Sequence, residues 1–145
     1  MRALICTTAL ALMSSMAIAG ETPANPDAKV YFVNLEDGAT VSGPVKVIFG
    51  LSGMGVAPSG TEADMTGHHH LLLNRAALGD GAEDQDMIDY GIPADENHLH
   101  YGKGQTETVL ELSPGTHTLQ LLLGDLNHVP HDPVVASEQI TITVN

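Results

Sequence analysis

Apolar and polar residues alternate along most of this chain, and the alternation predicts strands rather than helices. "VKVIFGL" places Val45, Val47, Phe49 and Leu51 on one parity, and "TETVLEL" does the same for Thr108, Leu110 and Leu112. "THTLQLLLG" sends Leu119, Leu121 and Leu123 to one side, and "SEQITITV" does so for Ile140, Ile142 and Val144. Successive side chains of a strand face opposite sides of its sheet, so each segment reads as a strand with one core-facing side. "KVYFVNL" and "TGHHHLLLN" bring the strands to six, and "HLHYG" is a candidate seventh. Glycine and proline punctuate between them: Asp37-Gly38 is a turn signal, "SGMGVAPSGTEADMTG" is a loop, and "SPG" predicts a tight hairpin between strands 106–112 and 117–123. No segment carries a convincing helical period. Residues 75–106 are less regular.

Short alternating strands separated by turns predict an all-β chain, an antiparallel immunoglobulin-like β-sandwich of about six to eight strands. The first residues, "MRALICTTALALMSSMAIAG", have one positive charge at Arg2, a short apolar core and small residues Ala17 and Ala19. They read as a signal peptide, residues 1–19, cleaved after Ala19. Residues 20–28 then form a flexible lead-in, and residues 29–145 the single sandwich domain. The expected location is periplasmic or secreted, without membrane insertion, since no later stretch is long and apolar enough for a span.

Composition narrows the chemistry. The one cysteine, Cys6, lies in the leader, so the exported chain has no disulfide, no thiolate ligand and no thiol nucleophile. Formal net charge is −13, and becomes −14 once Arg2 leaves with the leader. An acidic surface repels phosphate backbones, which argues against nucleic acid and points to a metal cation as partner. No protein partner is identifiable, and a monomer is the default expectation.

Longer phrases carry a resemblance. "VYFVNLEDGATVSGPVKVIFGLSGMGVAP", "TGHHHLLLN", "IPADENHLHYGKGQTET" and "LSPGTHTLQLLLGDLNHVPHDPVVASEQITITV" resemble the secreted bacterial family known as domain of unknown function 4399. The resemblance runs over nearly all of the chain beyond the leader and supports a single-domain sandwich. It brings no activity with it.

The eight histidines are about threefold above an ordinary proportion of about two per hundred, and they are grouped as "HHH", "HLH", "HVPH" and a lone His117. Neutral imidazole is the commonest ligand for zinc and copper. In an extended "HLH", His98 and His100 share a side, and His128 and His131 sit on a loop stiffened by Pro130 and Pro133. The predicted hairpin brings the residues before its first strand and after its second to one end. His98, His100, His128 and His131 are therefore the primary metal candidates, with Asp125 and Asp132 as supporting acceptors or oxygen ligands. His68 and His70 share a parity and form a second candidate group, while His69 and His117 share parity with core leucines and read as structural.

Three functional classes stay open at this point. The first is a histidine-rich module that binds copper or zinc for storage, delivery or tolerance. The second is a non-catalytic interaction or structural module whose histidines serve the fold. The third is a metal-dependent enzyme with Glu96 as general base. "DGAEDQD" fails the EF-hand spacing, and no phosphate loop or nucleophile elbow is present.

Overall fold

The computed structural model describes residues 20–145, so the leader expected over residues 1–19, Arg2 and Cys6 included, lies outside the described residues. Nine strands and one helix follow in order: β1 Lys29–Phe32, β2 Thr40–Val41, β3 Val45–Ser52, β4 Gly55–Val56, β5 Thr66–Leu73, α1 Asp84–Tyr90, β6 His98–His100, β7 Glu107–Leu110, β8 Gly115–Gly124 and β9 Ile140–Val144. The protein is thus mostly β, arranged in two sheets. All six strands read from the alternation are present, and "HLHYG" supplies β6.

The smaller sheet runs β1-β3-β7. The larger runs β2-β9-β8-β5-β4, with β6 also paired to β5. The long pairings are antiparallel, but two short ones, β2 with β9 and β4 with β5, are parallel. The inner faces of both sheets meet in one core. Val45, Val47 and Phe49 come from the smaller sheet, and Leu71, Leu119, Leu121, Ile142 and Val144 from the larger.

The predicted hairpin does not form. β7 pairs with β3 in the smaller sheet, whereas β8 pairs with β5 and β9 in the larger, so the "SPG" turn carries the chain across the core from one sheet to the other. The reason is that alternation fixes which side chains face inward and leaves the sheet unspecified. Inward residues of two successive strands can be neighbours in one sheet or face each other across two.

The helix was also not expected. At seven residues, α1 spans about two turns, too few for a period to show against strands. It is held by what it buries, Asp84 and Met87, rather than by its own sequence. Met87 joins Leu72, Leu122 and Ile92 in a second apolar cluster on the outer face of the larger sheet. Together with the 125–137 segment this covering buries β5 on both sides, from Gly67 through Leu73. The lead-in lies along that segment: the Gly20 and Ala24 N–H groups donate to Pro130 and Asp132 carbonyls, and Thr22 Oγ1 donates to Asp125.

Candidate metal centre

β5 sets the geometry. His68 and His70 point to its outer face and His69 to the inner core, as the strand period requires, so the triplet is not one cluster. Register then supplies the neighbours, because residues paired across antiparallel strands face the same side. His70 lies opposite His100 of β6 on one flank, and His68 lies opposite Gly124 of β8 on the other.

β8 ends at Gly124, and the chain turns there. Asp125 accepts the Asn127 and Val129 N–H groups at 2.8 and 2.9 Å, and His128 takes a left-handed backbone with φ of 69°. Its carbonyl accepts the Ile92 N–H at 2.7 Å, which ties the turn to the chain leaving α1. This turn brings the His128 ring over the pair on β5.

Four imidazoles thus gather on one spot. Ring centres of His68, His70, His100 and His128 lie between 4.7 and 6.0 Å apart in all six pairings. Nitrogens of His68, His70 and His100 lie within 4.8 Å of one another, and the Nε2 atoms of His68 and His70 are 3.0 Å apart. Two nitrogens sharing a tetrahedral ion at about 2.0 to 2.1 Å would be about 3.3 Å apart, so this pair already has nearly the spacing of a ligand edge. His68 Nδ1, His70 Nδ1 and His100 Nε2 are buried with no hydrogen-bond partner. Polar atoms in a folded interior are ordinarily paired, so three adjoining rings that each keep an unpartnered buried nitrogen mark a place fitted to a ligand.

Electrostatics favour the neutral form of His68, His70 and His100. Burial is the main cause that lowers His68 to about 4 and His70 to about 2, and the neighbouring imidazoles lower them further. His100 is lowered by burial and by His128. A neutral ring keeps its lone pair available at physiological pH, which is what a cation needs. Asp125, itself buried, acts on His68 in the opposite sense and offers a nearby negative charge.

Two glycines make the space. A Cβ on Gly124 would stand 2.8 Å from His70 Nε2, and one on Gly102 would stand 2.3 Å from His100 Nε2. Neither glycine stands out in the sequence, because only the fold places it against a ring.

The primary sequence grouping is therefore redistributed: His100 and His128 come together with His68 and His70, while His98 and His131 do not join them. His98 does share the outer face with His100, but Arg75 reaches it first. Arg75 Nη1 lies 2.8 Å from His98 Nε2, and Asp95 Oδ1 lies 2.8 Å from His98 Nδ1. Guanidinium has only donors, so Nε2 is the acceptor and Nδ1 carries the proton donated to Asp95. The lone pair that could ligate is in use, and a dication there would face a fixed positive charge.

The Arg75 side chain is only 5% exposed and forms a buried ion pair with Asp84, whose other oxygen accepts the Gly79 and Gly81 N–H groups at 2.6 and 2.9 Å. His131 is fully buried, and its two nitrogens face the Thr66 and Leu123 carbonyls at 3.2 and 3.4 Å, pinning the 125–137 segment to β5 and β8.

The two histidines read as structural both lie on the inner-face parity, away from the cluster, but only His117 is hydrogen-bonded. His117 accepts from Asn74 Nδ2 at 3.0 Å and donates Nε2–H to the Ser113 carbonyl at 2.8 Å. His69 packs in the core with its ring centre 5.1 Å from that of Phe49, yet neither of its nitrogens has a partner of normal geometry. Burial lowers it to about 4. Asp132 and Glu96 are exposed.

What fold and site define together is a two-sheet, mostly β protein with a buried histidine cluster on the outer face of its larger sheet. The chain belongs to the family described as Domain of unknown function (DUF4399), which matches residues 47–145 and so takes in all four clustered histidines. No curated protein and no solved structure matches it. Among the described residues, no helix is long and apolar enough to cross a membrane.

Proposed function

We propose that this chain is a metal-binding module, exported by its leader, in which His68, His70 and His100 hold a copper or zinc ion and His128 closes over them. The two sheets, read as an immunoglobulin-like sandwich, are the rigid scaffold, and the role is storage, delivery or tolerance. The observation that carries this reading is the approach of nitrogens of His68, His70 and His100 to within 4.8 Å of one another, in rings that each also keep a buried nitrogen without a hydrogen-bond partner.

The competing reading, a module whose histidines serve only the fold, has its own support. His98, His117 and His131 each bond to neighbouring groups in just that way. A purely structural network, however, would satisfy its members, as His98 and His117 are satisfied. Titration calorimetry with Zn²⁺ and Cu²⁺ on the purified protein and on the His70→Ala/His100→Ala double variant tests the choice. Tight, near-stoichiometric binding that the double variant loses supports the metal module. A wild-type protein that binds neither ion above background returns the histidines to the fold.

A further inference from the structure

The four rings say which shape of ion they suit. Ring centres are separated by 4.8 Å for His68 and His70, 5.1 Å for His68 and His100, and 5.0 Å for His68 and His128. The remaining separations are 5.0 Å for His70 and His100, 6.0 Å for His70 and His128, and 4.7 Å for His100 and His128. Four points on a square with sides of about 5 Å would have two diagonals of about 7 Å, whereas the six edges of a tetrahedron are equal. The longest separation here is 6.0 Å, so the arrangement is a slightly stretched tetrahedron.

Its size fits as well. The centre of a tetrahedron with edges of about 5 Å lies about 3.1 Å from each corner. An imidazole bound at about 2.0 to 2.1 Å has its ring centre about 3.2 Å from the ion. All four rings already stand at binding radius, and the remaining motion is rotation that aims one nitrogen of each inward. Glycine at 102 and 124 leaves the His100 and His70 rings room for it.

We propose that the site is a closed four-histidine tetrahedron, His68, His70, His100 and His128, built for zinc and discriminating against the tetragonal copper(II) ion. This rests on the metal reading above and deepens it. Zinc has no geometric preference from its d-electrons and takes four nitrogen ligands tetrahedrally, while copper(II) prefers tetragonal sites. With His128 in place no position is left for water, which fits holding or delivering an ion rather than activating a nucleophile.

Cobalt(II) alone, added to the purified protein, reports the geometry through its visible spectrum. The expected result is the intense absorption of a four-coordinate ion, unchanged by azide and abolished by one equivalent of Zn²⁺. The companion variant is His128→Gly, chosen because glycine suits the positive φ at that position and the backbone turn should survive. It should bind Zn²⁺ at least tenfold more weakly, and its cobalt spectrum should shift with azide as the anion enters the vacated position. Copper(II) binding that shows tetragonal resonance parameters and resists Zn²⁺ competition overturns the tetrahedral assignment while leaving a metal site. A His128→Gly protein with unchanged Zn²⁺ affinity, or a wild-type spectrum that azide shifts, overturns the fourth ligand. Failure of all three ions to bind removes the metal reading itself, and this inference with it.

Discussion

His98 and His100 lie two residues apart on the same face of the same short strand, yet they belong to opposite kinds of environment. At the His98 end, Arg75 and Asp95 bond the ring, Asp84 pairs with Arg75, and each of these groups has a partner. At the His100 end the neighbours are three more imidazoles, and buried nitrogens are left without partners. One residue type on one strand thus yields a structural tie in the first case and a candidate ligand in the second. The lesson is that a histidine's role follows from the charge and donor count of what faces it. A guanidinium consumes the lone pair, whereas another neutral imidazole leaves lone pairs to spare.

The comparison breaks most visibly at Asp84. Asp84→Ala leaves the buried Arg75 charge with only the longer contact to the half-exposed Glu83, at 3.7 Å, and should lower the free energy of unfolding by about 3 kcal/mol, read by urea denaturation. Zn²⁺ affinity of the folded variant should stay within about threefold of wild type. A large loss of affinity would mean that the two ends of the strand act as one unit.

Gly124→Ala probes the other end. The added methyl would sit 2.8 Å from His70 Nε2, so the ring must move off the common centre, and Zn²⁺ affinity should fall about tenfold, or about 1.4 kcal/mol. Calorimetry that shows unchanged affinity would place the ion elsewhere than between these rings.

Acid should separate the unsatisfied histidines from the satisfied ones. His69 is lowered to about 4 by burial, against 6.5 for a free ring. Below pH 6.5 the unfolded chain therefore takes up a proton that the folded chain refuses. Its contribution to stability is fully present above pH 6.5 and is lost as pH falls toward 4, at about 1.4 kcal/mol per pH unit. His68 and His70 act in the same direction in the metal-free protein. Denaturant midpoints measured across this range should fall with pH, and His69→Leu should have the shallower slope. Equal slopes would mean that His69 is not held neutral by the core.

The smallest effect concerns His69 at pH 8, where no protonation intervenes. Leucine at this fully buried position removes two nitrogens without normal hydrogen bonds beside Phe49, and should raise stability by about 1 kcal/mol. Destabilisation there would show that the ring makes a polar contact worth keeping.

Much of the framework was legible in the residues themselves. Side-chain alternation is a property of the extended backbone, so the six strands, the split of His69 from His68 and His70, and the core placement of Leu119, Leu121 and Leu123 all follow from local order. Neither strand pairing nor sheet membership is local. Nothing in "TVLELSPGTHTL" says whether the turn folds back into its own sheet or crosses the core, because both outcomes bury the same leucines. The helix Asp84–Tyr90 depends on Arg75, and His98 lost its ligand role to that same distant arginine. The cluster combines residues from one strand, its pairing partner and the turn after a third. Sequence could nominate its imidazoles by type and parity, but only the register of β5 with β6 and β8 decided which of them meet.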